Sequence, residues 1–247
     1  APAWVYGLLL AAYPAAQFFG AAILGELSDR IGRKPVLLIS QTGTMLSWVI
    51  IATAYFVGQI DGIAAFWPIS VLLLARVVDG LTGGNISVAN AYLVDISTKE
   101  QLTKRFSQAG AVTGIALLLG PAIGSLSSST GIGYLGMAVT AFIISLVTLV
   151  IMWRSLDESL KKISNAKRTE SRLSQLNIIR RVYRLRTRPG GKFMLGLSAG
   201  FGVILAGYTS IIILYIIDRF GLTQAQLGIY ILFIGTFLIF NQSVVVP

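Results

Sequence analysis

An arginine and an aspartate lie three residues apart in an otherwise apolar stretch, LLLARVVDGLTGGN, as Arg76 and Asp79. On a helix this spacing places both side chains on one face. An acid that is paired with an arginine in one state and released in another can take up a proton and give it back, so Asp79 is a candidate proton carrier; the alternative is a permanent ion pair. The same helical face continues through Gly80, Gly83, Ser87 and Asn90.

A second cluster is denser in charge. The segment GELSDRIGRK, residues 25–34, holds five charged side chains. Asp29 and Arg33 are four residues apart and can pair across a helical turn. We expect Gly25 and Gly32 to supply the tight backbone and the close helix approach that a sharp polar turn needs. An ordinary basic loop would explain the arginines and the lysine, but it would not explain their ordered spacing with the glycines and the acid.

Two missing residue types exclude several chemistries. The chain has no cysteine and no histidine, so a thiolate nucleophile, a sulfur metal site, a Ser-His-Asp triad and a HExxH zinc site are excluded within it. The stretch RPGGKFM lacks the first glycine and the Ser/Thr of a phosphate-binding loop. We therefore expect neither an enzyme nor a cofactor or metal site.

The elements that position these clusters are apolar and long. Of the 247 residues, 55% are hydrophobic and 12% are charged, against about 25% charged in soluble domains. Runs of about 20 apolar residues, each enough to cross a bilayer, recur along the chain, and in lipid such runs must be helical. This predicts an all-α multi-pass membrane bundle with seven spans: Pro2–Leu24, Pro35–Val57, Ile69–Val94, Phe106–Leu126, Ile132–Trp153, Phe193–Ile217 and Leu227–Val246.

The placement of the basic residues predicts an orientation. The net charge is +10, but all basic residues except Arg76 and Arg219 fall in the loops after the first, third and fifth spans. Lys and Arg accumulate in cytoplasmic loops of membrane proteins. We therefore expect a cell-membrane protein with its basic loops cytoplasmic and the N-terminus of this chain outside. The charge is accounted for by the anionic inner leaflet, so nucleic acid is not an expected partner.

The segment 25–34 resembles the signature of the major facilitator superfamily between its second and third helices, Gly-x-Leu-Ala-Asp-Arg-x-Gly-Arg-Lys. Ser28 replaces the usual alanine. The resemblance implies a latch on the cytoplasmic side that breaks and reforms as two halves rock, with Asp95, in AYLVDIS, as the acid that pairs with an arginine of the signature. The matching residues are Gly25, Leu27, Asp29, Arg30, Gly32, Arg33 and Lys34.

Two further motifs carry the resemblance. The family's fourth helix has Arg-x-x-Gln-Gly, which Arg76 and Gly80 fit, with Asp79 in place of the glutamine. The drug/proton antiporter branch, which includes tetracycline-efflux proteins, has Gly-Pro-x-x-Gly-Gly in its fifth helix. GIALLLGPAIGSL is similar to it, with Ser125 in place of the last glycine and with matches at Gly114, Gly120, Pro121 and Gly124.

The resemblance implies a monomeric, proton-coupled secondary transporter that exports drug-like or amphiphilic small molecules by alternating access. Candidate residues of its substrate and proton pathway are Arg76, Asp79, Asn90, Gln17 and Gln41. A transporter of sugars or other solutes in the same superfamily and a transport-inactive membrane scaffold are the alternatives. A seven-helix receptor or retinal protein also fits the span count. Against it, no lysine lies inside a span to form a Schiff base, and the basic linker separates five spans from two.

The predicted organisation is uneven. Residues 1–153 form a bundle of five spans, 154–192 a basic cytoplasmic linker, and 193–247 the start of a second bundle. Within the linker, Ser171–Arg186 has apolar residues at helical spacing among arginines, which predicts either an amphipathic helix on the inner leaflet or a solvated linker. The split, together with a faint repeat between the first and seventh spans, leads us to expect one more helix before Ala1 and four after Pro247, twelve in all.

Overall fold

The computed structural model describes residues 3–160 and 190–244, which form helices joined by short connections. The amphipathic helix predicted for Ser171–Arg186 lies outside these residues. In chain order the helices are α1 (Ala3–Ile31), α2 (Arg33–Gly58), α3 (Phe66–Gly83), α4 (Ile86–Asp95), α5 (Lys99–Ser128), α6 (Tyr134–Ser155), α7 (Gly191–Phe220) and α8 (Gln224–Val244).

The helices have the length and surface of membrane spans. Many large apolar side chains are exposed, for example Phe18 at 55% and Phe19 at 57%, as expected for helices that are apolar on all sides and face hydrocarbon. The sixth predicted span lies within α7, and the seventh lies in α8 as far as Val244, the last described residue. The prediction of an all-α multi-pass membrane bundle is confirmed. Five segments of the described chain are long and apolar enough to cross a bilayer: Trp4–Ile31, Arg33–Gly58, Phe66–Asp95, Lys99–Ser128 and Tyr134–Ser155.

The connection between α1 and α2 is shorter than the sequence suggested. Helix α1 continues through the charged segment to Ile31, so Gly25 lies inside a helix, and Gly32 alone makes the turn. Its backbone has φ 109°, a conformation open to glycine and strained for other residues. The N–H of Gly32 donates to the carbonyl of Ser28 at 3.2 Å and closes α1. Helices α1 and α4 finish at this end of the bundle, and α2 and α5 begin there. We call it the Gly32 end.

The third predicted span lies in one membrane-length segment, and this segment consists of two helices. Helix α3 ends at Gly83 and α4 begins at Ile86. The break lies where α1 comes closest, because a methyl group added at Gly84 would overlap the backbone of Ala21. Two successive glycines also weaken the helix at this point. The helix is interrupted at Gly84 and Asn85, so a helical wheel drawn through both helices does not describe the chain beyond Gly83.

Helices α1, α2 and α3 form the tightest part of the bundle. Glycines allow α1 and α3 to pack backbone against backbone: a methyl group at Gly20 would overlap Leu81, and one at Gly80 would overlap the carbonyl of Tyr13. This is the small-residue packing expected between membrane helices. Helix α6 packs on α2, and α5 packs on both α6 and α8. A buried apolar cluster closes the Gly32 end and consists of Leu24, Val36, Leu37 and Val88.

Helix α8, from the segment assigned by sequence to a second bundle, packs on α5 of the first. A methyl group at Gly228 would lie 3.1 Å from Cβ of Ser125 and 3.2 Å from the carbonyl oxygen of Ala122, so the two helices approach closely. The division of the chain into bundles 1–153 and 193–247 stays a prediction. Residues 1–153 and 193–247 thus meet where α8 packs on α5.

Candidate functional sites in the helical bundle

The Arg76–Asp79 pair is formed and partly enclosed. Nη2 of Arg76 lies 3.9 Å from Oδ2 of Asp79, and Asp79 is 8% exposed. The hydroxyls of Thr44 and Ser47 on α2 also lie near the carboxylate and favour its charged form. A charge in a bilayer needs such partners, since its exposure to lipid costs several kcal/mol. The structure thus gives Asp79 three polar neighbours, two of which sequence reasoning missed.

Arg76 has a second partner in Trp48 of α2. The guanidinium carbon lies 5.9 Å from the centroid of the indole ring, within the range of a cation–π interaction. Thr44, Ser47 and Trp48 are spaced at i, i+3 and i+4, so they share one face of α2. This spacing is the feature of the sequence that indicates that the three side chains lie together. Arg76 is therefore held by an acid on its own helix and by an aromatic ring on the neighbouring one.

Helix α1 reaches the same region through Tyr13 and Gln17. The amide of Gln17 donates to the carbonyl of Gly83 at 3.1 Å and to the hydroxyl of Tyr13 at 3.3 Å. The Tyr13 hydroxyl lies against Gly83, where an added methyl group would come within 2.8 Å of it. Gln17, predicted as a pathway residue, thus holds α1 to the end of α3.

Polar side chains also hold the break between α3 and α4. Nδ2 of Asn85 donates to Oγ of Ser40 at 2.7 Å, and Oγ of Ser40 donates to the carbonyl of Thr82 at 2.5 Å. Ser40 is fully buried. These bonds satisfy a backbone carbonyl that the interrupted helix leaves without its usual partner.

The other predicted pathway residues lie elsewhere. The amide of Gln41 donates to the carbonyl of Ser145 at 3.0 Å and ties α2 to α6. Asn90 is exposed on α4, on the far side of the break, and Ser87 is exposed as well. The continuous helical face drawn from Arg76 to Asn90 is therefore interrupted at Gly84. Of the five predicted pathway residues, the structure brings Arg76 and Asp79 into contact and places Gln17 beside them.

At the Gly32 end, Arg33 joins three helices. Its Nη1 lies 2.5 Å from Oδ1 of Asp29 and 2.7 Å from Oγ of Ser28, and its Nε lies 3.2 Å from Oδ2 of Asp95. The side chain of Arg33 is only 11% exposed. Asp29 and Ser28 belong to α1 and Asp95 ends α4, so one guanidinium fixes both to the start of α2. We call this set of ion pairs the Arg33 bridge.

Arg30 does not take part in the Arg33 bridge. It pairs instead with Glu26 one turn earlier on α1. The other carboxylate oxygen of Glu26 is buried and has no hydrogen-bond partner among the described residues. A small cavity of about 240 Å³ adjoins this carboxylate and is lined in part by Gly25, Ser87 and Ala91.

A residue that sequence reasoning missed completes the Gly32 end. The carboxylate of Glu158, which follows α6, accepts the backbone N–H of Arg33 at 2.9 Å and that of Lys34 at 3.2 Å. Partial burial raises the pKa of Glu158, but hydrogen bonds from the N–H groups of Leu160, Arg33, Lys34 and Ser159 outweigh it and hold the pKa below its ordinary value of 4.5. Because the pKa is lowered on folding, this contact stabilises the fold above pH 4.5. The stabilisation is lost as the pH falls through the pKa that Glu158 has in the folded protein.

A third site is a cavity of about 590 Å³ between α5 and α6, bordered also by α2, α7 and α8. This volume is in the range of small-molecule sites. The predicted antiporter residues Gly120, Pro121 and Gly124 line it, whereas Gly114 lies outside and an added methyl group there would meet open space. Helix α5 runs through Pro121 without interruption. The remaining described lining residues are uncharged: Trp48, Ile123, Ser125, Ser127, Ser128, Met137, Thr140, Ala141, Ile144, Ser145, Ile217 and Leu227.

A bundle of membrane-length helices that holds a charge pair, an uncharged cavity and an ion-paired junction has the architecture of a multi-pass membrane protein. The chain belongs to the Major Facilitator Superfamily, whose family profile matches residues 3–246. Members of this family move solutes across membranes and are not enzymes.

Comparison with curated proteins gives relatives over about half of the chain. The tetracycline resistance protein of class C from Escherichia coli is 39% identical over 121 residues, which are 49% of this chain and 28% of that protein. The class E protein from Escherichia coli is 38% identical over 127 residues, 51% of this chain and 28% of that protein. The major facilitator superfamily domain-containing protein 10 of Mus musculus is 30% identical over 122 residues, which are 49% of this chain and 24% of that protein. The matches thus span well under a third of each relative.

Proposed function

We propose that the chain is part of a proton-coupled secondary transporter that exports drug-like or amphiphilic small molecules by alternating access. The family membership and the likeness to tetracycline resistance proteins support this function. The uncharged lining of the α5–α6 cavity, with apolar side chains and several hydroxyls, suits an amphiphile that has an apolar body and a few hydrogen-bonding groups.

One observation carries the proposal: Trp48 belongs to two sites. Trp48 is one of the residues that line the α5–α6 cavity, and its ring lies under the guanidinium of Arg76. A molecule that enters the cavity and displaces the indole therefore changes the environment of the Arg76–Asp79 pair. This gives a direct physical path between substrate binding and the acid that we propose as the proton carrier.

The proton step follows from the same contact. When Arg76 stays close to Asp79, the carboxylate remains charged; when the pair separates, the enclosed carboxylate loses its counter-charge and takes up a proton. Re-pairing releases it. In the proposed cycle, proton entry from outside drives substrate outward, and each unit charge moved gains about 2.3 kcal/mol per 100 mV.

We further propose that the Gly32 end faces the cytoplasm in the cell membrane, next to the anionic inner leaflet, and that the transporter is a monomer. The concentration of basic residues at this end, including Lys99, Lys104 and Arg105, supports the orientation. The Arg33 bridge then closes the cytoplasmic side while substrate leaves to the outside, and it opens when the halves rock back.

Accumulation of a fluorescent amphiphile and of tetracycline in cells that carry the full-length protein tests this function. We expect lower accumulation than in cells without the protein, and recovery when a protonophore collapses the proton gradient. Trp48→Ala should weaken export about tenfold, the effect of losing a contact of about 1–2 kcal/mol. Trp4→Ala is the matched control, because Trp4 is 70% exposed at the start of α1.

Three results would contradict the proposal. Export that persists without a proton gradient would exclude proton coupling. Equal export by the Trp48 and Trp4 variants would remove the link between the cavity and the charge pair. Transport of a sugar with no effect on either amphiphile would favour the other branch of the superfamily.

A further inference from the structure

Helix α2 begins without a cap of its own. The residue before it is Gly32, which has no side chain to accept a hydrogen bond from the first turn. The first N–H groups of a helix have no partner inside the helix and need an external acceptor. At α2 these N–H groups belong to Arg33 and Lys34, and Arg33 is also the residue that forms the ion-pair bridge.

Glu158 acts as the missing cap from another part of the chain. Each of its carboxylate oxygens accepts one N–H, from Arg33 at 2.9 Å and from Lys34 at 3.2 Å. The N–H of Leu160 donates to the same carboxylate at 2.8 Å and fixes the turn that presents it. The carboxylate lies directly over Gly32, where a methyl group would overlap it. The absent side chain of Gly32 therefore leaves room for this approach.

The next residue holds the other partner of the bridge. Oγ of Ser159 donates to Oδ2 of Asp95 at 3.2 Å, the same oxygen that accepts from Nε of Arg33. Leu156, three residues earlier, packs on the apolar cluster at the Gly32 end. The short segment after α6 thus hydrogen-bonds the backbone of Arg33 and the carboxylate of Asp95, and it packs on the apolar cluster beneath them.

We infer that Glu158, with Ser159 beside it, is a positioning residue of the Arg33 bridge and joins α6 to the junction of α1, α2 and α4. Glu158 sets the backbone from which Arg33 reaches Asp29 and Asp95, while Ser159 orients the carboxylate of Asp95. The role of this contact in gating rests on the proposed function, because only a transporter opens and closes the Gly32 end. The positioning itself depends on the structure alone.

The rate at which a thiol at the Gly32 end is labelled tests the inference. Ala91 lines the small cavity beside Arg33, and the chain has no cysteine. In a full-length protein from which any cysteine outside this chain has been removed, Ala91→Cys therefore reports on opening of the bridge. On this background, Glu158→Ala should raise the labelling rate by a small-molecule thiol reagent about fivefold, the factor expected for loss of a helix cap. Glu158→Gln should give a smaller increase, because its amide oxygen can still accept one N–H.

The controls separate positioning from general loss of structure. Asp157→Ala removes the exposed neighbouring carboxylate and should leave the labelling rate unchanged. Ser159→Ala, a milder variant, should raise it about twofold by freeing Asp95, about the effect of one weak hydrogen bond, and it keeps the inference testable if Glu158→Ala does not fold. The inference would be overturned by equal labelling rates for Glu158→Ala and Asp157→Ala. If Glu158→Ala does not fold, an unchanged labelling rate for Ser159→Ala would overturn it. Labelling needs neither substrate nor a proton gradient, so its outcome is independent of the transport assays.

Discussion

Asp79→Asn is expected to abolish pH-driven uphill transport while leaving downhill exchange of substrate intact. Asparagine resembles the protonated acid in shape and cannot release a proton, so the coupling step is lost. For exchange of one proton per substrate, a gradient of one pH unit supports about a tenfold substrate gradient, since one pH unit corresponds to about 1.36 kcal/mol. The variant should therefore give a substrate ratio near one. The measurement is steady-state accumulation in vesicles at an imposed pH gradient.

The structure explains why this variant should fold. The hydroxyls of Thr44 and Ser47 lie near position 79 and can bond an amide there, and Arg76 keeps its contact with Trp48. Asp61→Asn, in an exposed loop, is the control and should transport normally. Poor folding of Asp79→Asn that is rescued by also neutralising Arg76 would show a permanent structural pair instead of a coupling site.

Arg33→Ala is expected to open the Gly32 end and to slow turnover. The change removes the bonds to Asp29, Asp95 and Ser28 together. Hydrogen bonds to charged groups contribute about 1.5–3 kcal/mol, so the closed state should lose roughly ten- to a hundredfold in population. Turnover in vesicles and thiol labelling at Ala91→Cys measure the two effects.

The control for this variant is Arg154→Ala. Arg154 is an exposed arginine at the end of α6, near the same end of the bundle, and its loss should change turnover and labelling little. If Arg33→Ala and Arg154→Ala behave alike, the Arg33 bridge has no role in closing the transporter.

The features predicted from sequence are those that depend on local spacing. The apolar runs gave the spans because length and hydropathy decide which segments cross a bilayer. The three-residue spacing of Arg76 and Asp79 predicted that they pair, and the four-residue spacing of Asp29 and Arg33 predicted the same for them. Both pairings follow from the geometry of one helical turn.

The features that sequence reasoning missed depend on packing between distant segments. Glu158 meets Arg33 only because α6 folds back beside α2, and no spacing in the chain indicates that contact. Trp48 likewise meets Arg76 because α2 packs against α3. The helix is interrupted at Gly84, where α1 approaches closely, and a straight helical wheel from Asp79 to Asn90 does not include this interruption.

The most direct test of the account is proton exchange by the purified full-length protein in liposomes. With an imposed pH gradient and no other energy source, we expect uphill movement of an amphiphilic substrate, and a substrate gradient should in turn move protons the opposite way. Both movements should stop in Asp79→Asn, while downhill exchange of substrate continues. Substrate movement that is indifferent to the pH gradient, or no movement of any amphiphile by folded protein, would contradict the account.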